Sequence, residues 1–341
     1  MSVLKKIRHR GRVYLSFLVH FLSIQRYRRN VRRNNPDATF TAITLIEHLG
    51  DIVACEPVSR YIRSKEPGAK IIWMVKKEYH ELLASNPCVD IVVDVHCLTE
   101  KDYLLKWCNF DQVFDLHFHE RSCALCGRTK VQYFGVREND REITLHNFYN
   151  YGCILQSMSQ FAGLPPLNEP PRVYIDKNVK STVEALRLPP RIVVFHCSSN
   201  TIEKDWPRDK WNQLARYIGA KYGYCVVEVG LHPILSDSGN LLYRNLAGKL
   251  SILETAEVIG RAKLFIGIDS GPAHMANAVG VKGVLLLGSY LGFKKYNPFS
   301  GDYGAHGNSS LIYADGPVAG IPFEMVQQSV DNALTHGMGG L

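Results

Sequence analysis

The sequence lacks a hydrophobic run long enough to cross a bilayer. A spanning helix needs about 20 apolar residues, and the apolar stretch near the start, Val13–Ile24, has twelve. No small-x-small cleavage site follows that stretch. It runs straight into the basic segment Arg26–Arg33, which would resist translocation, so an export signal is not expected. Repeats and low-complexity tracts are missing, and proline and glycine are not in excess, which excludes solenoid, fibrous and disordered classes. Cysteine is present nine times, an odd number in a chain that is not small. A disulfide framework is therefore not expected, and reduced thiols of a cytoplasmic protein fit better. Acid is wholly absent from residues 1–33, which hold ten basic side chains. The net charge of +8 less those ten leaves the rest of the chain near −2, so the basicity belongs to an N-terminal arm.

What is present is ample apolar material. With 341 residues and 46% in the hydrophobic set, the chain suits two domains better than one. The basic arm with its apolar centre reads as an amphipathic helix on an anionic membrane surface, where apolar burial and attraction to acidic lipid add. The competing reading is a helix packed on the protein's own body with a solvated basic face. No nucleic-acid module follows the arm, so nucleic acid is not an expected partner. Cys123-x-x-Cys126, near His117 and His119, has no second such pair at finger spacing. Its segment reads as helix, where cysteine serves as a small hydrophobe, and no metal is expected.

From residue 41 strands and helices alternate. Apolar strands are expected at 41–47, 70–75, 90–95 and 110–116, with a helix at 52–67 ended by Pro67-Gly68. Proline-rich segments at 164–190 punctuate the chain. Alternation then resumes with strands at 191–197, 224–230, 263–269 and 282–288 and helices near 208–221, 252–261, 271–279 and 322–335. Continuous apolar strands separated by helices imply parallel sheets covered on both faces. The expected fold class is α/β, with two doubly wound Rossmann-like domains facing across a cleft. The expected division is an extension at 1–38, an acceptor-binding domain at 39–170, a nucleotide-sugar-binding domain at 171–320, and a C-terminal helix within 321–341 that folds back over the first domain.

Ligands of such sheets bind beyond the carboxyl ends of the strands, and three motifs lie there. Asp269-Ser270-Gly271-Pro272-Ala273-His274 joins a strand to a helix. Asp269 and Ser270 can cap that helix, Pro272 suits its first turn, and Gly271 permits close approach of a ligand. The positive helix end with its free N–H groups suits a diphosphate, and His274 is expected to point to the same place. His196-Cys197-Ser198-Ser199, followed by Lys204, offers hydroxyls and a positive charge for phosphate oxygens, or a plain N-cap beside a solvated lysine. Leu49-Gly50-Asp51 follows the first strand. Gly50 would allow a tight turn. Asp51 would either accept the proton of an attacking hydroxyl or cap the next helix.

Taken in order, LGDIVACEPV, PGAKIIWMV, FDQVFDL, HCSS…EKDWP and LFIGIDSGPAHMANAVGV resemble glycosyltransferase family 9, the bacterial lipopolysaccharide heptosyltransferase family, over roughly residues 40–300. The resemblance implies a GT-B fold and an inverting transfer from a nucleotide-diphosphate sugar that requires no metal cofactor. It implies Asp51 as the base. Ser198, Ser199, Lys204, Asp269, Ser270, Gly271, Pro272 and His274 would hold the donor. Gly50, His117, His119, Glu120 and Arg121 are expected on the acceptor side. A lipid-linked saccharide is the expected acceptor, and the inner face of the bacterial inner membrane the expected location. The chain also departs from the family. After the strand YCVVEVG the family has a glutamate for the donor ribose, but here the residues are Leu231-His232-Pro233, with Glu228 inside the strand. The loop 287–301 is longer than the family's and carries Lys294, Lys295 and Tyr296. Rival readings are a GT-B-like sugar-nucleotide epimerase, which would need no acceptor, and a degenerate transferase acting as a membrane-surface adaptor. The intact GD and DSGPxH motifs argue against both.

Overall fold

The computed structural model describes residues 3–118, 123–127, 143–236, 242–289 and 295–335. The chain divides into two compact units, Met1–Leu167 and Asn168–Leu341.

In the first unit the strands are β1 (Phe40–Thr44), β2 (Lys70–Val75), β3 (Ile91–Asp94) and β4 (Gln112–Asp115). They form a parallel sheet in the order β3-β2-β1-β4. Ala42 pairs with Ile72 on one side and Val113 on the other. Every residue of β1 is buried, as a strand covered on both faces must be. The expected helix at 52–67 is two helices, Leu49–Ala54 and Pro57–Lys65. Pro57 cannot donate to the preceding turn, so the first helix stops and the second starts on the proline.

A 32-residue helix, Val3–Asn34, leads into β1. It packs on the first unit rather than standing apart. Ile24 is buried in the unit's core with Phe40, Ile72, Met74 and Leu104, and Phe17, Phe21, Tyr27 and Val31 pack against it. Arg28 donates to the carbonyls of Cys108 and Asn109 and lies 4.9 Å from the Phe40 ring centroid. The reading of a helix packed on its own body therefore holds for this face. The opposite face is open and exposes Leu4, Ile7, Leu15, Leu18 and Leu22.

The second unit has β5 (Ile192–His196), β6 (Cys225–Glu228), β7 (Tyr243–Asn245), β8 (Leu264–Ile268), β9 (Gly283–Leu287) and β10 (Ser309–Tyr313). The order is β10-β9-β8-β5-β6-β7, all parallel. The central strands β5, β8 and β9 are buried throughout. β7 and β10 were not expected from the sequence. Both are edge strands with mixed burial, so they lack the continuous apolar run that marks a central strand. The last helix, Phe323–Thr335, buries Val326, Val330 and Ala333 in the core of this second unit with Trp206, Leu214 and Ile266. Its apolar face is thus used within the second unit.

Candidate active site

The helix Gly271–Ala278 starts directly after β8. Ser270 occupies the N-cap position in extended conformation, and Pro272 lies in the first turn. The expected side-chain caps are not what forms. The Ser270 hydroxyl donates to the Ile268 carbonyl at 3.1 Å and lies 3.0 Å from His196 Nδ1. The Ala273 and His274 N–H groups close on the Ser270 carbonyl. Among the described residues the Gly271 N–H has no hydrogen-bond partner, so it stays open at the positive end of the helix.

Asp269 does not cap either. Its Oδ2 accepts from Lys204 Nζ at 2.6 Å. Lys204 ends a short 3₁₀ turn, Ile202–Lys204, in the loop after β5. The two strand-end motifs thus meet, because β5 and β8 are neighbours and both loops leave their carboxyl ends. Ser199 shapes its own loop: its N–H donates to Asp205 at 2.7 Å and its hydroxyl to the Thr201 carbonyl at 2.8 Å. Ser198 is half-buried and makes no hydrogen bond to another described residue.

His274 lies close enough to Asp269 and Lys204 for their charges to act on it. It is 2% exposed and packs against Phe299, ring centroids 4.7 Å apart. Burial first, with the nearby Lys204 charge adding and Asp269 opposing, pushes its pKa down to about 4. It is therefore a neutral imidazole at pH 7 and offers a hydrogen bond rather than a charge. His196 is held at about 4 by burial alone. It was not among the expected donor residues, although it closes β5 and orients Ser270. Gly230, at φ 133°, runs beside it, and a β-carbon there would lie 3.1 Å from His196 Cδ2.

Glu228 is buried at the end of β6. Its carboxylate accepts from the Ile234 and Leu235 N–H groups and, at 2.5 Å, from the Tyr243 hydroxyl. It organises the loop after β6. In the loop 287–301, Lys294 lies outside the described residues.

In the first unit Asp51 is the third residue of the helix Leu49–Ala54 and half-buried. Its Oδ2 accepts from the His48 N–H at 3.3 Å, so the capping contact is made, at a long distance. The helix starts earlier than expected and Gly50 is inside it, not in a left-handed turn. His117, expected on the acceptor side, is instead interior. Its Nε2 accepts from the Ile46 N–H at 3.0 Å and its Nδ1 lies 3.2 Å from Asp115 Oδ1. Burial lowers its pKa, so the ring is neutral, with Nδ1–H donating to Asp115. Asp115 also accepts from Thr44 and Lys101, both at 2.7 Å. Burial acts to raise the Asp115 pKa, but the Lys101 charge and the His117 contact win and hold it well below the usual range. This network ties the carboxyl ends of β1 and β4 together below the loops that leave them. His119, Glu120 and Arg121 lie outside the described residues.

The sequence model described as glycosyltransferase family 9 (heptosyltransferase) matches residues 105–291, more than half of the chain. The chain belongs to glycosyltransferase family 9. It is thus a glycosyltransferase. A relative, lipopolysaccharide heptosyltransferase 1 of Campylobacter coli, is 23% identical over 288 residues, covering 73% of this chain and 83% of that protein. Among solved structures, a family 9 glycosyl transferase from Veillonella parvula DSM 2008 superposes with a TM-score of 0.67 at 19% identity, covering 87% of this chain and 97% of that one. The E. coli ADP-heptose lps heptosyltransferase II gives 0.64 at 18%, covering 88% and 100%. These likenesses establish the GT-B fold of this family 9 transferase.

Proposed function

We propose that this transferase moves a heptose or another hexose-like sugar from a nucleotide-diphosphate donor to a lipopolysaccharide core or related surface glycan, with inversion. The observation that carries the reading is the Lys204–Asp269 contact, which sets a cation beside the open helix end at Gly271. A diphosphate is the group that such an arrangement suits: it accepts from the Gly271 N–H and the Ser198 hydroxyl while Lys204 offsets its charge. As the leaving diphosphate gains charge, fixed donors of this kind stabilise the transition state by roughly 3 kcal/mol each. Asp51 takes the acceptor hydroxyl's proton as that oxygen attacks the anomeric carbon. The names of the relatives support heptose and lipopolysaccharide. The engagement of Glu228 with its own loop argues that the donor's ribose is held differently here.

The test is thermal stabilisation by ADP, UDP, GDP and the matching nucleotide sugars, followed by stereochemical analysis of the product. A ligand at about 100 times its Kd should stabilise the fold by roughly 2.7 kcal/mol. Well-folded protein that responds to no nucleotide would remove the donor assignment. Change of the donor sugar without an acceptor would point to an epimerase instead.

We also infer that the transferase works at the inner face of the bacterial inner membrane. Among the described residues no helix is long and apolar enough to cross a membrane. The support is the open face of Val3–Asn34. Leu4, Ile7, Leu15, Leu18 and Leu22 recur at helical spacing, and the exposed Arg26, Arg29 and Arg33 continue the same side. Anionic lipid complements both parts.

A further inference from the structure

Four side chains far apart in sequence converge in the first unit. His9 comes from the N-terminal helix, Cys97 from the start of the helix Leu98–Cys108, and Cys123 and Cys126 from the segment beyond β4. Their ligand atoms all lie within 4.8 Å of one another. Cys123 Sγ is 3.4 Å from His9 Nε2, and Cys97 Sγ is 3.9 Å from Cys126 Sγ. A tetrahedral zinc ion, with bonds of about 2.3 Å to sulfur and about 2.0 Å to nitrogen, would space these atoms about 3.8 and 3.5 Å apart. All four cysteine and histidine side chains are thus at coordinating separations, and every cysteine of the chain is a free thiol.

The local backbone suits the same purpose. The expected helix at Cys123–Cys126 is a turn: the Gly127 N–H donates to the Cys123 carbonyl at 3.0 Å, and Gly127 has φ 63°. Glycine is the residue that adopts that conformation without cost. The turn brings both sulfurs of the Cys-x-x-Cys pair to one side. The Arg10 guanidinium donates to the Cys126 carbonyl at 2.9 Å, next to where thiolate charge would gather.

We propose that His9, Cys97, Cys123 and Cys126 form a closed structural site for a thiolate-seeking divalent cation, zinc by its ligand set. Binding displaces the proton of each thiol and leaves the neutral imidazole as fourth ligand. The ion clamps three segments together: the N-terminal helix, the chain after β3 and the chain beyond β4. His9 lies on the packed side of its helix, so the clamp holds the apolar stripe outward. With four protein ligands the site has no open position, which assigns it to architecture rather than chemistry.

The test uses the full chain, expressed and purified under reducing conditions without chelator, with metal content measured by mass spectrometry. One zinc per chain is expected, lost in C123S/C126S and kept in C88S. Cobalt chloride added to stripped protein should give thiolate charge-transfer bands and the visible bands of a tetrahedral site. His9→Gln, a milder change, should keep the fold and bind cobalt more weakly. Stripping should lower Tm independently of any nucleotide. Folded, reduced protein that takes up neither ion stoichiometrically would overturn the proposal, as would full binding by C123S/C126S or a Cys97–Cys126 disulfide in the native mass.

Discussion

Lys204 and Asp269, 65 residues apart in sequence, are joined at 2.6 Å across the carboxyl ends of β5 and β8. Both side chains are only partly buried, so the pair itself adds about 1 kcal/mol or less to stability. Its value lies in placing the ammonium group. Lys204→Ala should leave Tm nearly unchanged and weaken nucleoside-diphosphate affinity about 10- to 100-fold, the worth of one charged hydrogen bond. Titration calorimetry on the two proteins decides it, and unchanged affinity would remove Lys204 from the donor site.

Asp51 is expected to act on the acceptor and not on the donor. Asp51→Asn keeps a hydrogen-bond acceptor for the His48 N–H but cannot take a proton. Nucleotide affinity should stay within about twofold, while kcat drops by about 10²- to 10⁴-fold. A parallel loss of nucleotide binding would show that Asp51 has another role.

His196 and His274 give the fold a sensitivity to acid. Each is neutral when folded, with a pKa near 4, against 6.5 for the free side chain. As pH falls below about 6.5 the unfolded chain takes protons that the folded chain refuses, so stability is lost through the window from about 6.5 to about 4. By pH 5 each histidine should cost about 2 kcal/mol. Urea unfolding at pH 7.5 and 5.0 measures the sum, and His274→Gln should flatten the slope. A stability independent of pH across that range would contradict the burial of both rings.

Glu228 should matter for the fold and not for the choice of nucleotide. Glu228→Ala removes the acceptor of the Ile234 and Leu235 N–H groups and of the Tyr243 hydroxyl, at a cost of about 3 kcal/mol. The ranking of ADP, UDP and GDP in the stabilisation screen should survive. A changed ranking would return Glu228 to the donor site.

The open face of the N-terminal helix can be tested without activity. L15E/L18E alters exposed residues only and should leave the unfolding free energy within about 1 kcal/mol of the parent. Co-sedimentation with vesicles rich in anionic lipid should fall at least tenfold, and neutral vesicles should bind neither protein. Equal sedimentation of both proteins would leave the face without that partner.

Much of this transferase was legible in sequence because parallel strands buried on both faces are continuous apolar runs. β1, β5, β8 and β9 announce themselves so, and the residues proposed to bind phosphate follow such strands. The motifs LGD and DSGPxH likewise marked the family before any contact was known. What the residues alone did not determine is which groups meet. The Lys204–Asp269 pair, the neutral His196 beside Ser270, and the interior place of His117 depend on strand order and on burial, which are long-range properties. The edge strands β7 and β10 escaped notice because half-exposed strands need no apolar run. Cys123 and Cys126 read as ordinary hydrophobes because the other members of their cluster, His9 and Cys97, come from 114 and 29 residues away along the chain. Only tertiary packing brings such groups within bonding distance, since local sequence sets conformation and not the partners of each side chain.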